Sequence, residues 1–522
     1  MNASIASIPA DQTVQSDTSK VDRSQRAPWA RWKTALLLLA ISFAALFVHG
    51  YHPNAEDAEI YLPGVQKALH PELFPSNQNF FASHASLTIF PWIVAGTVKL
   101  SHLSLYAVLL GWHFASISLF LSACWLLSGL CTQNGPARWT AVGLVASLLT
   151  LPVAGTALYL MDQYVNPRNL SAFIGIAAIA LLLKKRYVLA GTLLLLGLAI
   201  HPFMMFFAFA YCIVLETIRS GWLRPLGLAS FLPLSGLFPP SSPAYHEVAL
   251  THSYHYLLSW HWYEWLGVLA PLVIFGWFRR FAHDRGRPMM EAMCRAAIVV
   301  GVLSVIAGVV LSASPRFETL ARIQPLRSYH LLYVLLSIFS GVVLGECLLK
   351  ARAWRWFLVF LPACLGMFLA QRALFPHSSH IEWPWAESRN PWVQAFEWSR
   401  ENTPVTAMFA LDPYYMRVRG EDVNGFRAIA QRSMLADAVK DSGAVSMFPL
   451  LAEEWHRQVT ARKEWNQFRM SDYRRLHEQF GVDWVVLQQP VLQELECPYQ
   501  NSTVAVCRVN FNRFAIKLHQ GI

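Results

Sequence analysis

Long apolar runs, broken by short polar or basic stretches, recur along the first 375 residues of the chain. They lie near 33–50, 103–130, 138–160, 170–183, 188–200, 202–218, 225–238, 257–278, 292–312, 327–349 and 354–372, and they predict about eleven transmembrane helices. The run from Ala85 to Leu100 is different. Pro91 interrupts it, Lys99 and His102 close it, and it is short for a span, so a helix lying on the membrane surface is the alternative to a crossing. Ahead of the first run lies a stretch rich in Ser, Asp and Gln, whose composition predicts a disordered tail over 1–30. The first run ends in Val48-His49-Gly50-Tyr51-His52, without a small-x-small cleavage pattern, so it is expected to stay as a signal anchor with the N-terminus in the cytoplasm.

Beyond Pro376 the apolar runs shorten and the pattern changes. A helix is expected near Trp392–Glu401, strands at Ala407–Leu411 and Trp484–Leu487, a helix near Ser471–Phe480, and a closing pair of strands at Val504–Cys507 and Phe514–Leu518. The expected architecture is a polytopic α-helical membrane protein with a transmembrane part over 31–375 and a soluble α/β domain over 376–522. Trp383, Trp385, Trp392 and Trp398 follow the last apolar run and are expected at headgroup level, where tryptophan is common.

Composition supports the membrane reading, since 55% of the 522 residues are hydrophobic and only 14% are charged. The net charge of +10 does not point to nucleic acid. Residues 376–522 are balanced, with 16 basic and 17 acidic residues, so the excess lies in the loops between apolar runs. If 85–100 does not cross, 19 basic residues of the membrane part fall inside and only Lys67, Lys99, Arg168, Arg316, Arg322, Arg327 and Arg372 fall outside. A crossing would give 11 against 15, so the positive-inside rule selects the surface helix. Segment 51–102, the loops around 162–169, 239–256 and 312–324, and the C-terminal domain then share one outer face. Cys497 and Cys507 lie there too, where an oxidising compartment lets them pair, with two free thiols as the alternative.

The densest candidate chemistry on that face is Glu56-Asp57-Ala58-Glu59-Ile60-Tyr61. In a helix, Glu56 and Glu59 would share a side and Asp57 would point elsewhere. Such carboxylates can accept a hydroxyl proton or hold a divalent cation, or they can simply favour a helix N-terminus. Arg316, Arg322 and Arg327 crowd a short outer segment against the general charge bias, which suggests an anionic ligand, with lipid headgroups or Glu318 as the alternative partners. His201-Pro202 reads as a helix end before it reads as a base, and the spacing of His246, His252, His255 and His261 carries no zinc signature.

The order of these parts, a cytoplasmic start, one helix, an outer loop with an acidic pair, a surface helix, more spans and an exported C-terminal domain, resembles the GT-C superfamily of integral membrane glycosyltransferases. Glu56 to Tyr61 looks like the family's first-loop acidic motif, His84 to Leu100 like its surface helix, and Asp162 to Asn169 stands where its second outer loop lies. The resemblance implies a GT-C-like transmembrane domain and transfer of a sugar from a polyprenyl-phosphate donor to a glycan, lipid or protein acceptor. It implies Asp57 as base or metal ligand, with Glu56 second, and leaves a divalent cation open as a cofactor. Glu59, Asp162, Arg168, His201 and the three arginines are the expected substrate-binding groups, and no residue is assigned as a metal ligand. No WWDxG-type acceptor motif is present. The expected location is the inner, or plasma, membrane, with the C-terminal domain in the periplasm. Two other readings stand beside this one: a transporter of lipid-linked or anionic solutes, and a non-catalytic membrane scaffold.

Overall fold

The computed structural model describes residues 28–221 and 241–509. The chain runs through α1 (Pro28–His49), α2 (Ala58–Leu69), α3 (Asn79–Ala85), α4 (Phe90–Ser101), α5 (Leu105–Cys131), α6 (Gly135–Ser147), the short strands β1 (Pro152–Val153) and β2 (Leu158–Tyr159), α7 (Pro167–Leu183), α8 (Tyr187–Ile200) and α9 (Pro202–Ser220). After residue 240 come α10 (Pro243–Thr251), α11 (Trp262–Asp284), α12 (Pro288–Ser312), α13 (Glu318–Ala321), α14 (Ser328–Leu344) and α15 (Ala353–Leu374). Seven segments are long and apolar enough to cross a membrane: the Arg31–His49 part of α1, then α5, α9, α11, α12, the Pro315–Leu349 run that holds α14, and α15. An eighth is reached only if α3 and α4, bent by 86° at their junction, are one broken span. The expected eleven therefore becomes seven or eight among the described residues. The run 225–238 lies outside them, α7 and α8 are shorter apolar helices, and the run 138–160 is helical only to Ser147 before it turns into the β1–β2 hairpin.

The sequence explains most of these limits. Ser104 caps α5, Asn166 caps α7 through a bond from the Asn169 N–H, and Pro167, Pro202 and Pro288 begin their helices where a missing N–H costs nothing. α4 alone has 12 residues, about 18 Å, against a hydrocarbon core of about 30 Å. Its Trp92 and Leu100 are exposed, as are Phe357, Leu361, Leu365 and Leu369 along α15, which is the pattern of lipid-facing sides.

The C-terminal region holds α16 (Pro391–Asn402), β3 (Met408–Ala410), α17 (Phe426–Ala430), β4 (Ser433–Met434), α18 (Asp441–Met447), α19 (Ala452–Thr460), α20 (Met470–Phe480), β5 (Trp484–Gln488), β6 (Glu496–Gln500) and β7 (Val504–Arg508). The five strands form one sheet in the order β4-β3-β5-β7-β6, parallel on the β3 side and antiparallel from β5 to β6. The partners of β7 are β5 and β6. The expected strand 514–518 lies outside the described residues, as does nearly all of the tail 1–30. Cys497 and Cys507 form a disulfide between neighbouring strands. The tryptophan expectation needs correction. Trp392 is buried and Trp398 partly buried in the core under the sheet, where α16 packs its apolar side, whereas Trp385 is exposed and stacks on Trp383.

Candidate active site

The loop before α2 is held along its length by three other parts of the chain. The His52 N–H donates to the Gln163 carbonyl, Ala55 bridges Asn424, the Glu56 N–H donates to the Val423 carbonyl at 3.1 Å, and the Gly425 N–H donates to the Asn54 carbonyl at 2.9 Å. Residues 54–59 are thus zipped to 423–428 of the C-terminal region, while Tyr51 pairs with 380–382. Gly425 is required by this approach, because a Cβ there would come within 2.5 Å of Glu59 Oε2. Glu56 takes a left-handed backbone (φ 54), α2 starts at Ala58, and Asp57 sits at the N-cap position without capping the helix through its side chain. Its carboxylate is therefore free to turn elsewhere.

It turns to two cations. Lys440 Nζ lies 2.9 Å from Asp57 Oδ1 and also pairs with Glu56, while Arg168 Nη2 stands 3.5 Å from Asp57 Oδ2. Arg168 is held in turn by Asp162 Oδ2 at 2.6 Å, which also accepts from Asn166 Nδ2 at 2.7 Å. The expected sharing of a face is reversed: Glu56 and Asp57 converge on Lys440, and Glu59 points away. Glu59 is fully buried 3.2 Å from Arg427 Nη1, and Arg427 also pairs with Asp441 at 2.7 Å. The expected substrate-binding Glu59 is therefore part of the joint between α2 and the C-terminal region.

Asp57 faces a cavity of about 570 Å³. Its walls come from all five segments expected on the outer face: Glu56, Asp57, Tyr61 and His84; Asp162, Tyr164 and Arg168; His252 and Tyr254; Gln324 and Arg327; Arg417 and Lys440. Apolar groups, among them Val153, Ile200 and Phe203, complete it. His201 lines the cavity and caps α9 by accepting the Met204 N–H at 3.3 Å, the helix-end position that its sequence context suggested. The Arg327 side chain lines the cavity with a buried Nε and no hydrogen-bond partner among the described residues. Arg322 instead donates to the Met447 carbonyl at 3.2 Å and Arg316 is exposed, and neither lines the cavity.

Electrostatics follow from these neighbours. Burial alone would raise the Asp57 pKa, but Lys440 and then Arg168 outweigh it and hold the carboxyl well below the usual range. Burial would likewise lower Lys440, and Asp57 with Glu56 holds its ammonium well above its ordinary value. His84 is different: burial pushes it down to about 4, so it is neutral at pH 7, and its Nδ1 is buried without a partner. His84, Tyr164 and Lys440 were absent from the expected site. Lys440 carries no local signal at all, since it lies 383 positions from Asp57.

A divalent ion does not fit the acidic pair as it stands. The point between Glu56 and Asp57 is taken by Lys440, Asp162 is engaged by Arg168 and Asn166, and among the described residues no group of three His, Cys, Asp or Glu side chains is arranged to hold a metal.

No protein-family model matches the chain, and no curated protein matches it. Solved structures do resemble it. The oligosaccharyltransferase of Archaeoglobus fulgidus in the apo form is 13% identical with a TM-score of 0.43, the match covering 88% of this chain and 70% of that one. The oligosaccharyltransferase AglB of the same organism, in complex with an inhibitory peptide and a dolichol-phosphate, is 13% identical with a TM-score of 0.42 over the same shares. The arabinofuranosyltransferase AftD from Mycobacteria is 14% identical with a TM-score of 0.44, covering 92% of this chain and 40% of that one. All three carry names of sugar transferases. At such identities and scores the reading of the site rests on its own residues.

Proposed function

We propose that this chain is an integral membrane glycosyltransferase that moves a sugar from a polyprenyl-phosphate donor to a hydroxyl or amide acceptor, with Asp57 as the base. The observation that carries the reading is one cavity that joins an anionic carboxylate to an unpartnered guanidinium, Asp57 to Arg327, beside apolar walls. The donor phosphate pairs with Arg327, and its prenyl chain runs along the apolar side. As the bond from the sugar C1 to the phosphate oxygen breaks, its electron pair stays on that oxygen, where a fixed guanidinium stabilises the growing charge. The acceptor atom attacks C1 and its proton passes to Asp57. A carboxylate held so firmly anionic is a weak base, which suits a proton that leaves late, once the acceptor carries positive charge from the forming bond.

In this reading the site lies on the outer, periplasmic face, the N-terminus is cytoplasmic, and residues 376–522 form an exported domain that closes the cavity. The test uses the full chain in nanodiscs with radiolabelled prenyl-phosphate sugars. Asp57→Asn, close in size but without useful basicity, should cut transfer at least a hundredfold with unchanged expression and melting. Full transfer by that variant would take Asp57 out of the role of base, and no transfer by the parent chain would move the assignment to the transporter or scaffold.

A further inference from the structure

The acidic pair of the first loop already has a cation, supplied by the C-terminal region. Lys440 stands at the start of α18, where Asp437 Oδ1 gathers the backbone N–H groups of Val439, Lys440 and Asp441. Asp437 is itself buried, and its N–H donates at 2.8 Å to Asp441 Oδ2, the carboxylate that Arg427 clamps. The backbone that carries Lys440 is therefore tied to the same buried joint that receives Glu59. Its side chain is 12% exposed, and its ammonium sits between Glu56 and Asp57.

Two carboxylates aimed at one point repel unless a cation lies between them, and a divalent ion and an ammonium compete for that place. A divalent ion wants six or more oxygen ligands. In this cavity each carboxylate already has a fixed protein donor: Glu56 and Asp57 have Lys440, Asp162 has Arg168 and Asn166, and Glu264 accepts the His261 N–H at 2.7 Å. A metal would have to expel a tethered ammonium from the oxygens it needs.

We propose that Lys440 is the built-in cation of this site, a positioning residue that holds Glu56 and Asp57 together in the place of a divalent ion, so that transfer runs without added metal. Only the last clause rests on the transferase reading. The seat itself is testable without a substrate.

The experiment titrates Mn²⁺ into the purified full chain in nanodiscs and follows the free ion by electron paramagnetic resonance. The wild type should take up no more Mn²⁺ than Asp57→Asn. Lys440→Ala should gain one site at least tenfold tighter, and the Lys440→Ala, Asp57→Asn double variant should lose it again. Lys440→Gln, which keeps length and hydrogen bonding without the charge, carries the same expectation if the alanine variant melts early. Asp57-dependent Mn²⁺ binding by the wild type overturns the proposal, and so does a Lys440 variant that binds no more tightly than the wild type. In the transfer assay a chelator should leave wild-type turnover within twofold; a loss restored by Mn²⁺ overturns it as well. Failure of the transferase reading would show separately, as no transfer by the wild type, and would leave the Mn²⁺ result standing.

Discussion

Arg322 and Arg327 share one turn-rich segment yet face different partners. Arg322 donates its guanidinium to the Met447 carbonyl, while Arg327 brings to the cavity wall one with no hydrogen-bond partner among the described residues. Removing a donor that meets developing charge typically costs ~3 kcal/mol, roughly a hundredfold in rate. Arg327→Ala should therefore lower turnover about a hundredfold, with partial recovery in Arg327→Lys, which keeps the charge and loses the planar fork. Arg322→Ala and Arg316→Ala should stay within about threefold, a change worth ~0.7 kcal/mol. Equal losses in all three would take Arg327 out of the donor site. Glu59 gives a second expectation at this scale. Its burial, with Asp437 and Asp441 nearby, outweighs the opposing pull of Arg427 and raises its carboxyl from 4.5 to about 8. The folded chain then binds more protons than the unfolded one between those values, so this stabilisation is full below 4.5 and lost as pH rises toward 8. Asp437, also raised by burial and by Asp441, adds slope of the same sign. Glu59→Gln should reduce the fall in melting temperature across that window, and an unchanged slope would exclude Glu59 as its source.

Among the elements, the strip 51–59 decides where the chemistry stands. Its backbone is fixed by 423–428 on one side and by Gln163 and 380–382 on the other, so the acidic pair is placed by three distant segments and not by the register of α2. This is why the helical face expected from the spacing of Glu56 and Glu59 did not form. The β6–β7 pair carries the disulfide, and the other six cysteines are free. Denatured protein isolated without reductant should accordingly show six alkylated thiols by mass, and eight after reduction. Eight without reductant would remove the disulfide and, with it, the argument that this pair sits in an oxidising compartment.

For the whole molecule, the charge bias divides the loops into two sets. Loops expected outside wall one cavity, whereas Arg285 and Arg287, expected inside, pair with Glu346 beside Thr132. The face assignment is tested in intact cells after Cys347→Ser removes the exposed native thiol. Leu450→Cys, at a position 98% exposed, should react with a membrane-impermeant reagent, and Lys184→Cys, on the exposed turn after α7, should not. The reverse pattern would invert the topology and place the cavity in the cytoplasm.

Run length, composition and the bias of lysine and arginine determined by themselves that the chain is a helical membrane protein with a sheet-bearing C-terminal region; crowding of charge singled out Arg327, and the resemblance to a family of membrane sugar transferases added Asp57, Asp162, Arg168 and His201 to the candidates. These signals are local or additive, so they survive without coordinates of any kind. Only the tertiary structure decided that α6 gives way to a hairpin, that Trp392 belongs to a core, that Glu59 serves the joint, and that Lys440 reaches the acidic pair. Each of those depends on which distant segment supplies the partner. Burial and pairing of a charge are properties of the folded neighbourhood, and a lysine 383 positions away leaves no trace in the spacing around Asp57.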